Sequence, residues 1–508
     1  MRPVARLGSF LLLAVATLAP ARGAVAKERA PSGPLADRIG RVASAAGFKP
    51  GKLGMLVVSL DDDSVVFDKD ADLPLVPAST AKLATTAAVL DLLGPGHVFA
   101  TTLDALGEVS PADGVLDGDL VLHGSGDPSL SKRDHEADPL WPLSALAAQA
   151  AAHGVKRVTG ALVLDDGPFD RKYLHPSWPV SDLDDWYGAP TAGLTFNDSC
   201  VTVLVRGGAS AGDAASVLVP STSGPWPLVA AVSTSDVRQP TVGAIWVEEK
   251  RRLRVAGEIP PRQEASFDTP VPDPLALVGG ATVEALRRAG IEVAKGWRLA
   301  ASARDRTRGT ELGRIENDLR TALRVMNKRS QNLYAETLFK AAGVEEFGAG
   351  SWETGEKAVA AVLARRGLAT PGLRIVDGSG LSKENRLSAG CLARLLLSFD
   401  RDPLRGPVLR ESLATPGEEG TLAKRFRGVP GRERIRAKTG TLGRSSVFAL
   451  AGTVDGRASA EGGAAGGRAS SGSGARRGFA FAIVMNGAPA QGDPKSFEED
   501  VVKELLAE

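Results

Sequence analysis

The texture of the sequence changes near residue 98 and changes back near residue 305. Outside that stretch, apolar residues recur at helical spacing or gather in strand-like blocks. Inside it, short β-like runs alternate with Gly/Pro/Asp turns: Asp119 to His123, Gly160 to Leu164, Val201 to Val205 and Val242 to Val247. A few helical segments, such as Leu143 to Ala152, intervene. A chain of 508 residues is too long for one compact core and implies two to four domains. The pattern predicts a multi-domain α/β (α+β) protein. One unit is assembled from both ends, residues 27–97 plus 306–508. A β-rich region at 98–305, divided into two nested domains, is inserted in it.

The flanking segments carry more local signals. Residues 27–34 read as a disordered leader, and Leu35, Ile39 and Val42 then recur at helical spacing. Leu53 to Leu60 reads as a strand, Asp61 to Ser64 as a turn and Val65-Val66-Phe67 as a second strand. A helix is expected from Ser79 to Leu93, closed by Gly94-Pro95-Gly96. Helical patterning returns at Glu316 to Met326 and at Ser330 to Ala342. Two strands, Ser446 to Val454 and Gly478 to Met485, precede a last helix with Phe497, Val501 and Leu505 on one face. Between those strands, residues 456–474 are rich in Gly, Ala and Ser and read as a disordered loop.

Several function classes are disfavoured early. The formal net charge is +1 and the longest basic cluster is Lys250-Arg251-Arg252, so no electrostatic track suggests nucleic acid. Arg2 and Arg6 precede the apolar run Leu7 to Leu18, and Ala24-Val25-Ala26 follows. That is the pattern of a secretory signal peptide over residues 1–26. The run is shorter than the roughly 20 residues a bilayer span needs. The mature chain is therefore expected outside the inner membrane, in the periplasm or the cell-wall space, with no transmembrane segment. Cys200 and Cys391 lie far apart and are expected as buried free thiols. Neither stands in a metal-ligand spacing, so no metal or other cofactor is expected.

Three short motifs occur in order: Ser79-Thr80-Ala81-Lys82, Ser330-Gln331-Asn332 and Lys438-Thr439-Gly440, the last followed by Thr441. Each is weak alone. Ser79 and Lys82 are three residues apart on one helix and can touch. A buried lysine with a lowered pKa can take the serine proton. Ser330 can relay a proton to a leaving nitrogen while Asn332 orients Lys82 or a carbonyl. Lys438, Thr439 and Thr441 lie in a strand-like stretch and can hold a carboxylate, while Gly440 lets another backbone approach. The Thr441 amide can join that of Ser79 as an oxyanion hole. A second S-x-x-K, Ser129 to Lys132, precedes no apolar helix and reads as a loop. Gly208-Ala209-Ser210-Ala211-Gly212 matches G-x-S-x-G but lies between two strand-like runs, whereas a nucleophile elbow leads into a helix.

The ordered set resembles penicillin-binding proteins and serine β-lactamases. More narrowly, the chain is similar to the low-molecular-mass class C penicillin-binding proteins, the D-alanyl-D-alanine carboxypeptidase/endopeptidase family. The stretch between Ser79 and Ser330 is far longer than a β-lactamase needs. Gly118 to Pro128, Gly160 to Phe169, Asp377 to Ser382, Gly420-Thr421-Leu422 and Ala437 to Leu442 also match. The resemblance implies a transpeptidase-like fold with inserted domains and Ser79 acylated with Lys82 as base. It implies that Ser330 and Asn332 complete the proton network, and that Lys438, Thr439, Gly440 and Thr441 bind substrate. Peptidoglycan stem peptides would be the substrates and β-lactams the inhibitors. In relatives an aspartate of the inserted region binds a side-chain amino group, and Asp165, with Phe169 nearby, is expected in that role. A β-lactamase or esterase on the same fold is the nearest alternative. A catalytically silent wall-binding protein is disfavoured because no motif position is degraded.

Overall fold

The computed structural model describes residues 33–131, 133, 138–219, 226–247, 249, 252–443, 446–456 and 477–508. The expected signal peptide, most of the leader and nearly all of the 456–474 loop lie outside the described residues. Helix α1 (Pro34–Ala45) leads to the hairpin β1 (Leu53–Ser59) and β2 (Val65–Lys69), then to α2 (Lys82–Leu92). The chain next forms β3 (Val98–Val109), β4 (Val115–His123), α3 (Leu143–Ala152), β5 (Arg157–Val158) and β6 (Leu162–Asp165). Strands β7 (Cys200–Arg206), β8 (Ser216–Leu218), β9 (Leu228–Thr234), β10 (Gly243–Val247), β11 (Arg252–Ile259) and β12 (Glu264–Pro270) follow. Helix α4 (Pro274–Arg288), β13 (Glu292–Val293), β14 (Trp297–Leu299) and β15 (Thr310–Asp318) complete that region. The rest is largely helical: α5 (Leu319–Lys328), α6 (Asn332–Phe347), α7 (Trp352–Arg365), α8 (Ala389–Asp400) and α9 (Gly406–Ser412). Strands β16 (Ile435–Leu442), β17 (Val447–Val454) and β18 (Phe479–Asn486) precede α10 (Pro494–Leu506).

The two ends of the sequence build one five-stranded sheet, ordered β16-β17-β18-β1-β2. Its inner strands are apolar on both faces because both faces are covered. On β18, Phe479, Phe481, Ile483 and Met485 pack toward α1 and α10, while Ala480, Ala482 and Val484 face α8 and its neighbours. β1 alternates in the same way, with Met55 and Val57 on one side and Leu56 and Val58 on the other. Each such large side chain removed from water contributes roughly 1.5–3 kcal/mol. The small residues on the second face let helices come close to the sheet. Behind that layer α2 and α6 are buried nearly all round, which explains why α2 shows no polar face in the sequence.

The inserted region has a sheet of its own. β3 begins just after α2, β15 ends just before α5, and the two pair antiparallel with Val98 opposite Asp318. Entry and exit therefore lie side by side, so the excursion leaves the first sheet undisturbed. β15 belongs to the inserted sheet. The chain thus returns at Leu319, rather than at residue 306 as read from sequence. Glu316 to Asp318, read as helix, are strand, and Asp318 accepts from the Thr321 amide as the cap of α5. Two three-stranded sheets, β12-β7-β8 and β10-β11-β9, complete the region. Cys200 and Cys391 are both buried and free.

Candidate active site

Three elements from distant parts of the sequence converge at the head of α2. Ser79 lies in a tight helical turn, Ala78–Ala81, that runs into α2 at Lys82. The regular helix thus begins three residues later than expected. Ala78, at φ +48°, turns the chain into that segment and sets Ser79 at the surface of the cleft. Lys82 is fully buried. Its Nζ donates to Ser79 Oγ at 3.1 Å, to Asn332 Oδ1 at 2.7 Å and to the Ser379 carbonyl at 2.9 Å. Burial pulls its pKa from 10.5 down to about 7, against the opposing pull of the Glu336 and Asp377 carboxylates.

Ser330 occupies the link between α5 and α6 at φ +61°. Its Oγ accepts from Lys438 Nζ at 2.8 Å, and Lys438 also donates to the Thr439 carbonyl at 2.7 Å. Asn332 opens α6, and its Nδ2 donates to the Tyr187 carbonyl at 2.8 Å. Lys438 is fully buried, and burial and the nearby Lys82 push its pKa well down. Two ammonium groups so close, and so dry, disfavour each other's charge.

β16 is an edge strand, and its register decides what it offers the cleft. The amide and carbonyl of Ala437 both bond to Ala414 on the side away from β17. Alternation along a strand places the amides of Thr439 and Thr441 on that same open edge. Gly440 is needed where β16 passes the serine turn: a Cβ there would sit 2.8 Å from the Pro77 carbonyl and 3.2 Å from Ala78 Cβ. Gly380, at φ +83°, is tighter still, since a Cβ would lie 1.9 Å from the Ala78 carbonyl oxygen.

Around these groups opens a cleft of about 420 Å³. Ser79, Ser330, Asn332 and Thr441 line it. So do Asp182, Trp186 and Tyr187, which belong to the long connection from β6 to β7. The inserted region thereby supplies one wall of the site. That connection is pinned on the other side by Trp178, whose Nε1 donates to Asp377 Oδ2 at 2.8 Å.

All five residues read from the sequence as catalytic candidates, Ser79, Lys82, Ser330, Asn332 and Lys438, are brought together. Thr441 reaches the cleft; Thr439 is half-buried beside it, and Gly440 packs on the serine turn. Asp165 is not brought there. It ends β6, where Oδ2 meets His123 Nδ1 at 2.9 Å and Oδ1 accepts from Arg306 at 2.8 Å. It is an ion-pair partner of His123 and Arg306 and does not line the cleft around Ser79. Ser210 lies in the turn between the antiparallel strands β7 and β8, away from any helix start. The amide of Ser129 donates to Asp127 in a loop, and Lys132 lies outside the described residues. Among the described residues, no group of three or more His, Cys, Asp or Glu could hold a metal ion.

Sequence reading missed the scaffold beneath the lysine. Glu336 and Asp377 are fully buried. Asp377 accepts from the amides of Gly380 and Ser382 and from Asn385 Nδ2, which shapes the turn carrying Ser379. Asp377 lies in a stretch already matched to the family, but only the turn it shapes, whose Ser379 carbonyl meets Lys82, gives it a role. Asp182 carried no signal beyond those of an ordinary loop carboxylate.

A family model described as the D-Ala-D-Ala carboxypeptidase 3 (S13) family matches residues 41–506. The D-alanyl-D-alanine carboxypeptidase of Actinomadura sp. (strain R39) is 34% identical over 434 residues, which span 79% of this chain and 75% of that one. The D-alanyl-D-alanine carboxypeptidase DacB of Haemophilus influenzae is 25% identical over 410 residues, 79% of this chain and 81% of that one. In fold, the chain is similar to the crystal structure of penicillin binding protein 4 from Haemophilus influenzae. The TM-score is 0.74 at 22% sequence identity, with 92% of this chain and 97% of that chain covered. A second structure of that protein, complexed with a β-lactam, superposes with a TM-score of 0.69. With its three motifs gathered at one cleft and its length matched almost end to end, the chain belongs to the D-Ala-D-Ala carboxypeptidase 3 (S13) family.

Proposed function

We propose that the chain is a serine D-alanyl-D-alanine carboxypeptidase that trims peptidoglycan stem peptides through an acyl-enzyme at Ser79. The observation that carries the reading is the position of Lys82 Nζ, fully buried and held between Ser79 Oγ and Asn332 Oδ1. A lysine whose pKa lies near 7 is neutral often enough to accept the Ser79 proton. Ser79 Oγ then attacks the carbonyl carbon of the D-Ala-D-Ala amide. The oxyanion is received by the amides of Ser79 and Thr441. Lys438, through Ser330, returns a proton to the leaving nitrogen as the C–N bond breaks, and D-alanine departs. Water hydrolyses the ester and restores Ser79. The terminal carboxylate of the substrate lies against Lys438, Thr439 and Thr441, and its charge favours the ammonium form of Lys438.

The same chemistry applied to a cross-linked peptide is DD-endopeptidase action. β-Lactams enter as acylating inhibitors: the ring amide opens on Ser79 and the ester clears slowly. The carboxylate at the cleft wall is Asp182, so binding of a stem-peptide amino group falls to it rather than to Asp165. The N-terminal pattern supports export to the periplasm or cell-wall space. No helix among the described residues is long and apolar enough to cross a membrane. Labelling with a fluorescent penicillin, followed by digestion and peptide mapping, tests the reading. A stable adduct on the peptide containing Ser79 supports it. An adduct elsewhere overturns the assignment, and rapid turnover of the antibiotic brings the β-lactamase alternative forward.

A further inference from the structure

One carboxylate of this site touches neither the cleft nor the serine, yet it braces both helices of the proton network. Glu336 lies one helical turn after Asn332 on α6, so both side chains leave the same face toward α2. Glu336 is fully buried. Its Oε1 accepts from the Ser379 amide at 2.8 Å, and its Oε2 accepts from the Gly378 amide at 3.1 Å and from Trp352 Nε1 at 2.9 Å. The carbonyls of those same two residues point the other way. The Gly378 carbonyl accepts from Thr85 Oγ1 at 2.9 Å, and the Ser379 carbonyl accepts from Lys82 Nζ at 2.9 Å. Gly378 and Ser379 are therefore held by their amides on the α6 side and by their carbonyls on the α2 side.

We infer that Glu336 is a positioning residue of the reaction, clamping the Gly378-Ser379 peptides so that the Ser379 carbonyl holds Lys82 against Ser79. The inference rests on the reading of Lys82 as the base. Asn332 acts on Lys82 directly, and Glu336 acts on it through one residue, Ser379. When ionised, the buried carboxylate supplies negative charge near the lysine and favours the lysine's charged form, as Asp377 also does; burial and the neighbouring Asp377 raise the Glu336 pKa itself to about 7. Trp352 completes the clamp. Its indole N–H serves Glu336 while Lys340 Nζ lies 3.8 Å over its ring, and Lys340 donates to Asp170 of the inserted region at 2.7 Å. The clamp thus reaches from the wall of the inserted region to the catalytic lysine.

Glu336→Gln is the direct test, because it keeps shape but removes the charge and one acceptor oxygen. The rate of penicillin acylation is followed against pH, alongside the melting temperature. The expected result is an acylation rate lowered about tenfold or more and an acid limb displaced to lower pH by about one unit. A role confined to packing would change the melting temperature and leave the limb where it is. Trp352→Phe is the second variant, and it decides the matter if Glu336→Gln does not fold. It keeps the ring, removes one donor to Glu336 and should move the limb the same way by a smaller step. An unmoved limb in the folded variants, with Ser79 still the labelled residue, overturns the inference and leaves the acyl-enzyme reading intact. Labelling that survives Ser79→Ala overturns that reading itself.

Discussion

Replacing Gly380 by alanine should disable the site while sparing most of the fold. The new Cβ would lie 1.9 Å from the carbonyl oxygen of Ala78 and 2.5 Å from its carbon. Ordinary van der Waals contact between carbons begins near ~3.5 Å, so one of the two turns must move by more than about 1 Å. Ala78 precedes the nucleophile, and Gly380 follows the residue whose carbonyl binds Lys82, so either movement separates Ser79 from its base. A misplacement of about 1 Å at a reacting group costs on the order of 10²-fold in rate. The left-handed backbone at φ +83° adds about 1–2 kcal/mol of strain to the folded state. Gly348→Ala separates the two effects. Gly348 caps α6 at φ +73° with nothing within 4 Å of a built Cβ, so it carries the strain without the collision. Acylation by labelled penicillin, with thermal melting of both variants, is the assay. Similar losses of melting temperature and a collapse of acylation in Gly380→Ala alone are expected. Wild-type acylation by Gly380→Ala would refute the claim that this contact sets the serine.

Lys82 is pulled to about 7 and on the proposed mechanism reacts as the neutral amine, so acylation should rise with pH through about 7. Stopped-flow acylation across that range reads the limb, and a flat profile would contradict the base assignment. Asp182→Asn should slow release of D-alanine from a stem peptide with a free side-chain amine, yet leave penicillin labelling near wild type. Asp165→Asn should do the reverse, keeping activity per folded molecule while losing about 1–3 kcal/mol of stability in denaturant, because His123 and Arg306 lose their partner. Cys200 and Cys391 form no bridge, so a reducing agent should leave the melting temperature unchanged.

Much of this was legible in the sequence, for definable reasons. Motif order and local context point to Ser79, Lys82, Ser330, Asn332 and Lys438 because such chemistry needs those residue types on a helix start, a helix link and a strand. The change of texture near residue 98 marks the excursion because its short β-like runs are broken by frequent Gly, Pro and Asp turns, whereas β1 and β18 are longer apolar blocks. The return was misplaced because β15 pairs with β3 across more than two hundred residues, and no local pattern reports that pairing. Asp165 is singled out by sequence because it lies in a stretch that matches the family, and nothing in the sequence points to Asp182. Only the fold shows that the first is consumed by His123 and Arg306 while the second lines the cleft. Glu336 and Asp377 were invisible as functional groups for the same reason. A buried carboxylate on an apolar helix looks anomalous in sequence, but its partners are backbone amides that no motif encodes.

The central claim is that Ser79 is the nucleophile of a D-alanine-releasing reaction. Release of D-alanine from a peptide ending in D-Ala-D-Ala, measured for the wild-type chain and for Ser79→Ala side by side, tests it most directly. Steady release by the first and none by the second is the predicted result. Equal release by both would contradict the account, because the reaction would then proceed without the serine on which every other assignment depends.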